Sequence, residues 1–242
     1  MPRYKILIEY DGTRYSGWQR QPNANTVEEE VENALSQILR EPVNIIGQGR
    51  TDAGVHAEGQ VAHFDFPKEL DKHRLLFGLL GVLPGDIAVW DMEGVDSTFH
   101  ARFYGKARQY RYQVITRPSP LWNNYAEMIL GDLDLNKMKE CSDMIEGTHD
   151  FESFTHSSEE QPRTSCDIML SRFDFGDPLI TYRIKANRFL RHMVRRLVGT
   201  MLQVGQGKMN VKQFSDFLHK PSKNKNGHGA SAKGLILEKV EY

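Results

Sequence analysis

Apolar positions recur along the chain at two spacings, which predict a mixed succession of strands and helices. Short apolar runs, several of them alternating with polar residues, predict strands at 4–10, 43–49, 60–66, 86–92, 109–116, 165–175, 179–186 and 235–242. Apolar residues three or four positions apart predict helices at 27–40, 69–80, 133–147 and 189–205. Because hairpins are mixed with alternating strands and helices, the pattern favours an α+β fold with a largely antiparallel sheet over a doubly wound one.

The segment that precedes the first predicted helix has the spacing of a capping box. Thr26 stands immediately before the helix, and Glu29 follows three residues later. A threonine at this position commonly accepts the backbone N–H at the third helical residue, while a glutamate there reaches back to the cap. We therefore expect the Thr26 side chain to cap the helix.

A glycine-rich loop, GRTDAGVHA at 49–57, lies between two predicted strands and carries a single aspartate, Asp52. One interpretation is that Asp52 is a turn former whose side chain bonds its own backbone. The other is a functional carboxylate, since loops on a rigid sheet commonly hold catalytic groups. A carboxylate can act as nucleophile or general base, and Arg50 beside it would keep it ionised.

The composition is that of an ordinary soluble globular protein. The chain has 242 residues, of which 39% are hydrophobic and 26% charged, and a formal net charge of −1. This length permits one large domain or two closely joined halves. Two widely separated cysteines, Cys141 and Cys166, predict neither a disulfide framework nor a zinc site, and favour a reducing cytoplasm. We expect no signal peptide and no membrane-spanning segment.

Charge is strongly segregated along the chain. Residues 97–126 contain no acid, and residues 178–237 contain a single one, Asp216. The basic residues of these two stretches are Arg102, Lys106, Arg108, Arg111, Arg117, Arg183, Lys185, Arg188, Arg191, Arg195, Arg196, Lys208, Lys212, Lys220, Lys223, Lys225 and Lys233. Such segregation predicts either a basic face for nucleic acid or ordinary solvated surfaces, and both interpretations stay open.

Several familiar catalytic motifs are absent from the sequence. The glycine-rich loop lacks the Gly-Lys-Ser/Thr ending of a phosphate-binding loop, and neither a dinucleotide fingerprint nor a serine-nucleophile elbow occurs. The histidines do not have zinc-ligand spacing. We therefore expect no cofactor and no metal.

The loop and other ordered motifs resemble the tRNA pseudouridine synthase A family over nearly the whole chain. The similar segments are EYDGTRYSGWQRQP, GRTDAGVHA, FHARFYGKARQYRYQV, GTHDFESF, FLRHMVRRLVG and GLILEKVEY. The resemblance implies two ferredoxin-like halves, about 1–105 and 106–242, that share one extended sheet with helices packed on it. It also implies an active cleft between the halves and a cytoplasmic homodimer that binds tRNA.

The implied activity is isomerisation of uridine to pseudouridine at positions 38, 39 and 40 of the tRNA anticodon stem-loop, on a base flipped out of its stack. Asp52 matches the family's nucleophile, Tyr110 the tyrosine that stacks on the target uracil, and Arg195 the basic partner of the aspartate. Arg50 matches the arginine that fills the space left by the flipped nucleotide. From the residues alone, two other interpretations stay open: Tyr110 as an ordinary strand aromatic and Arg195 as a solvated helix residue.

The remaining residues of interest are assigned less specifically. His56 and His100 are expected to be structural, and Trp18 either contacts RNA or packs in the core. Ser231 stands where the family usually has proline, and we expect a looser loop there. Two other classes stay open: a non-catalytic RNA-binding module, and a base-excising glycosylase or nucleosidase. For the nucleophile, attack of Asp52 at C1′ of the sugar and at C6 of the base both stay open.

Overall fold

The computed structural model describes residues 1–155, 163–222 and 227–242; Lys223 and Lys225 of the basic stretch lie outside these ranges. The chain divides into two compact units, one formed by Met1–Lys106 with Ile236–Tyr242 and the other by Ala107–Leu235. Segment 236–242, which sequence analysis assigned to the second half, groups with the first unit because its strand pairs with a strand there.

Ten strands and five α-helices are found among the described residues. The strands are β1 (Arg3–Tyr10), β2 (Ile46–Gly47), β3 (His56–Asp65), β4 (Ile87–Val95), β5 (Ala107–Ile115), β6 (Glu127–Met128), β7 (Gly147–Asp150), β8 (Ser165–Phe175), β9 (Leu179–Ala186) and β10 (Leu235–Glu241). The helices are α1 (Val27–Leu39), α2 (Lys72–Val82), α3 (Leu135–Asp143), α4 (Met193–Gly205) and α5 (Val211–His219).

The first unit is a four-stranded antiparallel sheet with an added strand. Its strands stand in the order β4-β1-β3-β2, and the chain visits them as βαββαβ, which is the ferredoxin-like arrangement. Strand β10 adds to β3 in parallel, with Ile236 opposite His56. Alternate residues of β1 face the core, where Ile6 and Ile8 are fully buried.

The second unit has an antiparallel sheet in the order β5-β9-β8-β7, with the short β6 parallel to β5. The hairpin of β8 and β9 forms where the sequence predicted it. Helix α4 is the centre of the core, with Leu197, Val198 and Met201 fully buried. Helices α3 and α5 both pack against α4. The predicted α+β class with largely antiparallel pairing is therefore confirmed.

The predicted capping box at the start of α1 is wrong. Thr26 precedes the helix, but its side chain makes no capping hydrogen bond, and its hydroxyl is buried without a hydrogen-bond partner among the described residues. The backbone carbonyls of Gly17 and Trp18 accept the N–H groups of Val27 and Glu28 instead. The incoming loop thus replaces the side chain as the cap.

Helix α4 begins at Met193, four residues later than the apolar pattern predicted. His192 has a left-handed backbone with φ 62°, which ends any helical run that enters from residue 189. Helix α5, which the apolar pattern did not predict, begins at a capping box formed by Asn210 and Gln213. No helix within the described ranges is long and apolar enough to cross a bilayer.

Candidate active site

The loop that carries Asp52 is anchored to the first unit on both sides of the aspartate. Before it, the hydroxyls of Thr51 and Tyr10 share a buried hydrogen bond of 2.8 Å, and Trp18 N donates to Thr51 O at 3.2 Å. After it, Gly54 N donates to Tyr15 O at 3.3 Å. Because these bonds involve buried or backbone atoms, they fix the path of the chain through Asp52.

Gly17 allows the segment that contains it to pass unusually close to the backbone of the Asp52 loop. Its φ is +95°, a backbone that side chains rarely adopt, and a Cβ there would lie 2.5 Å from Thr51 O and 3.1 Å from the carbonyl carbon of Asp52. Trp18 follows it and is only 2% exposed, with its ring against Gly47. Of the two roles considered for Trp18, the structure supports packing.

Asp52 itself opens a tight turn and is partly exposed. Its backbone carbonyl accepts the N–H of Val55 at 3.2 Å, and Gly54 has φ +76°. The backbone of Asp52 therefore takes part in the turn. Arg50 is exposed on the same loop, so the structure presents a carboxylate and a guanidinium together on a rigidly held segment.

The two histidines expected to be structural both make structural contacts. His56 is 3% exposed, and its Nδ1 accepts the N–H of Gly12 at 3.1 Å. His100 accepts the N–H of Arg102 at 3.2 Å, and its ring lies 4.9 Å from that of His63.

Tyr110 lies on β5 in the second unit, opposite Ile184 of β9. Tyr110 is partly exposed, and its ring lies nearly perpendicular to that of Phe189, with 5.2 Å between centroids. A partly exposed aromatic ring is suited to stacking on an unpaired base. The same geometry also fits an ordinary strand residue, so the role of Tyr110 stays a prediction.

Arg195 lies in the first turn of α4 and is bound to the segment before β10. Its Nε donates to Ala230 O at 2.9 Å, and Ala230 N donates to Arg195 O at 3.0 Å. Segment 227–230 passes very close to α4, since a Cβ on Gly199 would lie 2.2 Å from His228 O. Arg195 is thus a constrained residue, which does not fit the interpretation of a freely solvated helix arginine.

Some basic residues of the two stretches are buried or paired with an acid, whereas others are exposed. Arg196 is 8% exposed, and burial, with a smaller contribution from Arg195, lowers the pKa of its guanidinium. Lys220 pairs with Asp216 at 2.9 Å. Basic residues of these stretches that are clearly exposed include Arg102, Lys106, Arg117, Arg191, Lys208 and Lys212.

The two cysteines are poorly suited to nucleophilic chemistry. Burial raises the pKa of the Cys141 thiol to about 12 and that of Cys166 to about 11, so both stay protonated at neutral pH. Within the described ranges, no three His, Cys, Asp or Glu side chains are grouped so that they could hold a metal ion.

Comparison with known proteins places the chain in a family. A family model described as tRNA pseudouridine synthase matches residues 6–104 and 142–242. The chain belongs to this family. Proteins named tRNA pseudouridine synthase A from Chlorobaculum tepidum, Exiguobacterium sp. and Streptococcus thermophilus are 42%, 39% and 41% identical to it. The matches cover 98%, 100% and 100% of this chain and 97%, 98% and 100% of those proteins.

The likeness to solved structures is weaker. A chain of a Cbf5-Nop10-Gar1 complex matches 97% of this chain and 48% of its own length, at 9% identity and a TM-score of 0.42. A match at this level carries no argument about function.

The residues matched by the tRNA pseudouridine synthase family include Asp52, Arg50 and Arg195, whereas Tyr110 lies between the two matched ranges. The structure groups Asp52 with Arg50 in the first unit, and Tyr110 with Arg195 in the second. Sequence reasoning missed the residues that hold these side chains, above all Gly17 and Ala230. The one sequence signal near Ala230 was the adjacent Ser231, which stands where the family usually has proline.

Proposed function

We propose that this protein isomerises uridine to pseudouridine at positions 38, 39 and 40 in the anticodon stem-loop of tRNA. The observation that carries the proposal is Asp52, presented partly exposed on an anchored loop, in a chain that belongs to the tRNA pseudouridine synthase family. Relatives named tRNA pseudouridine synthase A match essentially the full chain at about the same length, which supports the same activity here.

In the proposed reaction Asp52 is the nucleophile, acting at C1′ of the sugar or C6 of the base. The N1–C1′ bond breaks, the uracil rotates while bound, and a C5–C1′ bond forms. The proton lost from C5 is balanced by one gained at N1, so the product has the mass of the substrate. A stacked uridine cannot reach the carboxylate, so the nucleotide must first be flipped out of the helix.

We assign the other three residues to separate roles around the flipped nucleotide. Arg50 occupies the space that the nucleotide vacates, and Tyr110 stacks on the uracil. Arg195 pairs with the reacting carboxylate and keeps it ionised. The fixed geometry of Arg195 against Ala230 supports this role, because a charge that assists a reaction is most effective when its position is set in advance.

The proposal extends to the surroundings of the site. The exposed basic residues contact phosphates of the tRNA, and Phe103, 72% exposed between Arg102 and Tyr104, offers a ring for an unpaired base. We also propose a cytoplasmic homodimer, in keeping with the family resemblance. Light scattering of the purified protein at micromolar concentration tests the dimer directly.

One experiment separates the proposed activity from its alternatives. The protein is incubated with an unmodified tRNA transcript, which is then digested, weighed by mass spectrometry and labelled with a pseudouridine-specific reagent. Isomerisation leaves the mass unchanged and gives label at positions 38–40. Base excision lowers the mass, and an RNA-binding module changes neither mass nor labelling; either result would refute the proposal.

A further inference from the structure

We infer that Glu127 is a positioning residue for Arg195, acting through the Ala230–Ser231 segment. The inference rests on the proposed role of Arg195 in pseudouridine formation. All of the residues involved belong to the second unit. They form a chain of hydrogen bonds from Glu127 to Ser231, and from the adjacent Ala230 to Arg195.

The hydrogen bonds between Ala230 and Arg195 set the direction of the Arg195 guanidinium. Arg195 is joined to Ala230 twice, through its backbone carbonyl at 3.0 Å and through Nε at 2.9 Å. A guanidinium is a rigid planar fork, so a hydrogen bond at Nε fixes the direction in which the two terminal nitrogens point. A displacement of Ala230 O would therefore be carried directly to the charged end of Arg195.

The first link holds the residue next to Ala230. Ser231 N donates to Glu127 Oε2 at 3.2 Å, and the Tyr112 hydroxyl contacts the same carboxylate oxygen and lies 2.8 Å from Ser231 O. Burial, and then the Glu127 charge, raise the pKa of the Tyr112 hydroxyl far above its ordinary value. Tyr112 therefore stays protonated, and its single proton serves either the Glu127 carboxylate or Ser231 O, while the N–H of Ser231 is held by Glu127 in either case.

This tie uses an atom that proline lacks. Ser231 stands where the family usually has proline, and proline has no N–H to donate to Glu127. The backbone of Ser231, at φ −58° and ψ 147°, already fits a proline ring. Where the sequence predicted a looser loop, the structure has a specific hydrogen bond from Ser231 N to Glu127. Ser231→Pro would remove that bond.

The experiment measures single-turnover pseudouridine formation and tRNA binding for Glu127→Ala and Ser231→Pro. A hydrogen bond to a charged group is worth roughly 1.5–3 kcal/mol, so we expect Glu127→Ala to lower the rate about 10- to 100-fold. Ser231→Pro should lower it by a smaller factor, and tRNA affinity should stay within about 2-fold in both, because neither residue is proposed to touch RNA.

The matched control is Glu146→Ala, whose carboxylate also accepts a backbone N–H in the same unit, that of Ser171 at 3.0 Å. We expect it to lower thermal stability without changing the rate. In an Arg195→Ala background, Glu127→Ala should have no further effect on the rate, since Glu127 acts through Arg195. An undiminished rate in Glu127→Ala, or an equal fall in both backgrounds, would overturn the inference.

A second measurement does not depend on activity. The Nε–H resonance of Arg195, assigned with Arg195→Lys, should exchange with water faster in Glu127→Ala than in the wild type or in Glu146→Ala. Unchanged exchange contradicts the positioning role even if the wild type proves inactive on tRNA. An inactive wild type with faster exchange in Glu127→Ala would refute the proposed function and leave the positioning of Arg195 supported.

Discussion

The loop that carries Asp52 makes a sharp prediction about Gly17. Substitution by alanine adds one methyl group at a backbone with φ +95°, where the new Cβ would lie 2.5 Å from Thr51 O and 3.1 Å from the Asp52 carbonyl carbon. The atoms in contact are backbone, so they cannot move aside as the end of a flexible side chain could. Either Gly17 changes conformation or the loop that carries Asp52 is displaced.

The size of the effect follows from two costs. A left-handed backbone costs a non-glycine residue roughly 1–2 kcal/mol, and forcing extra atoms into a packed site typically costs 1–3 kcal/mol. We therefore expect Gly17→Ala to lower the free energy of unfolding by about 2–5 kcal/mol. For a chain of this size each kcal/mol shifts Tm by about 2–4 °C, which gives a fall of roughly 4–20 °C.

The assay is thermal unfolding followed by circular dichroism, with single-turnover pseudouridine formation measured well below Tm. Gly49→Ala is the control, because it lies in the same loop with no atom within 4 Å of its added Cβ. We expect that variant to keep its Tm within about 4 °C, since glycine-to-alanine changes at unstrained positions alter stability by less than about 1 kcal/mol. A Gly17→Ala protein with wild-type Tm and rate would refute the close approach between Gly17 and the Asp52 loop.

Three further predictions concern RNA, base stacking and pH. The affinity for tRNA should fall with salt by a log–log slope of roughly 0.7–0.9 per phosphate neutralised, and a salt-independent affinity would contradict the proposed phosphate contacts. Tyr110→Phe should bind tRNA normally but turn over at least about 10²-fold more slowly if its hydroxyl moves a proton, whereas Tyr110→Ala should lose stacking as well; a wild-type rate in Tyr110→Ala would contradict both roles. Burial, with Arg3 and His100, lowers the pKa of His63 from 6.5 to about 4, so folding stability should fall as pH drops through this window because the unfolded chain gains a proton first. The urea midpoint should therefore drop more between pH 7 and pH 5 in the wild type than in His63→Gln.

Local patterns predicted eight of the ten strands and four of the five α-helices found among the described residues, because each of these elements has its own apolar periodicity. The alternation in 165–175 and 179–186 corresponds to β8 and β9 residue for residue. The start of α1 at Val27 was predicted correctly, but its cap was not, because the capping carbonyls belong to Gly17 and Trp18, which local spacing at Thr26 does not reveal. The start of α4 was missed because the left-handed His192 interrupts an apolar pattern that continues through it.

In the candidate site, too, some features follow from local sequence and others depend on the fold. Asp52 and Arg50 stand in one short motif, so sequence analysis could identify them together. The supports of the site join residues far apart in the chain: Tyr10 with Thr51, Glu127 with Ser231, and Arg195 with Ala230. Such pairings depend on the folded topology, and for this reason the role of Glu127 emerged only from the structure.

The most direct test of the account is the activity of Asp52→Asn. This change keeps the size and polarity of the side chain but removes the negative charge and the nucleophile. Pseudouridine formation at positions 38–40 of a tRNA transcript, measured in single turnover by specific labelling, should be abolished while tRNA affinity stays within a few-fold of the wild type. Near-normal pseudouridine formation by a correctly folded Asp52→Asn protein would contradict the central role of this carboxylate.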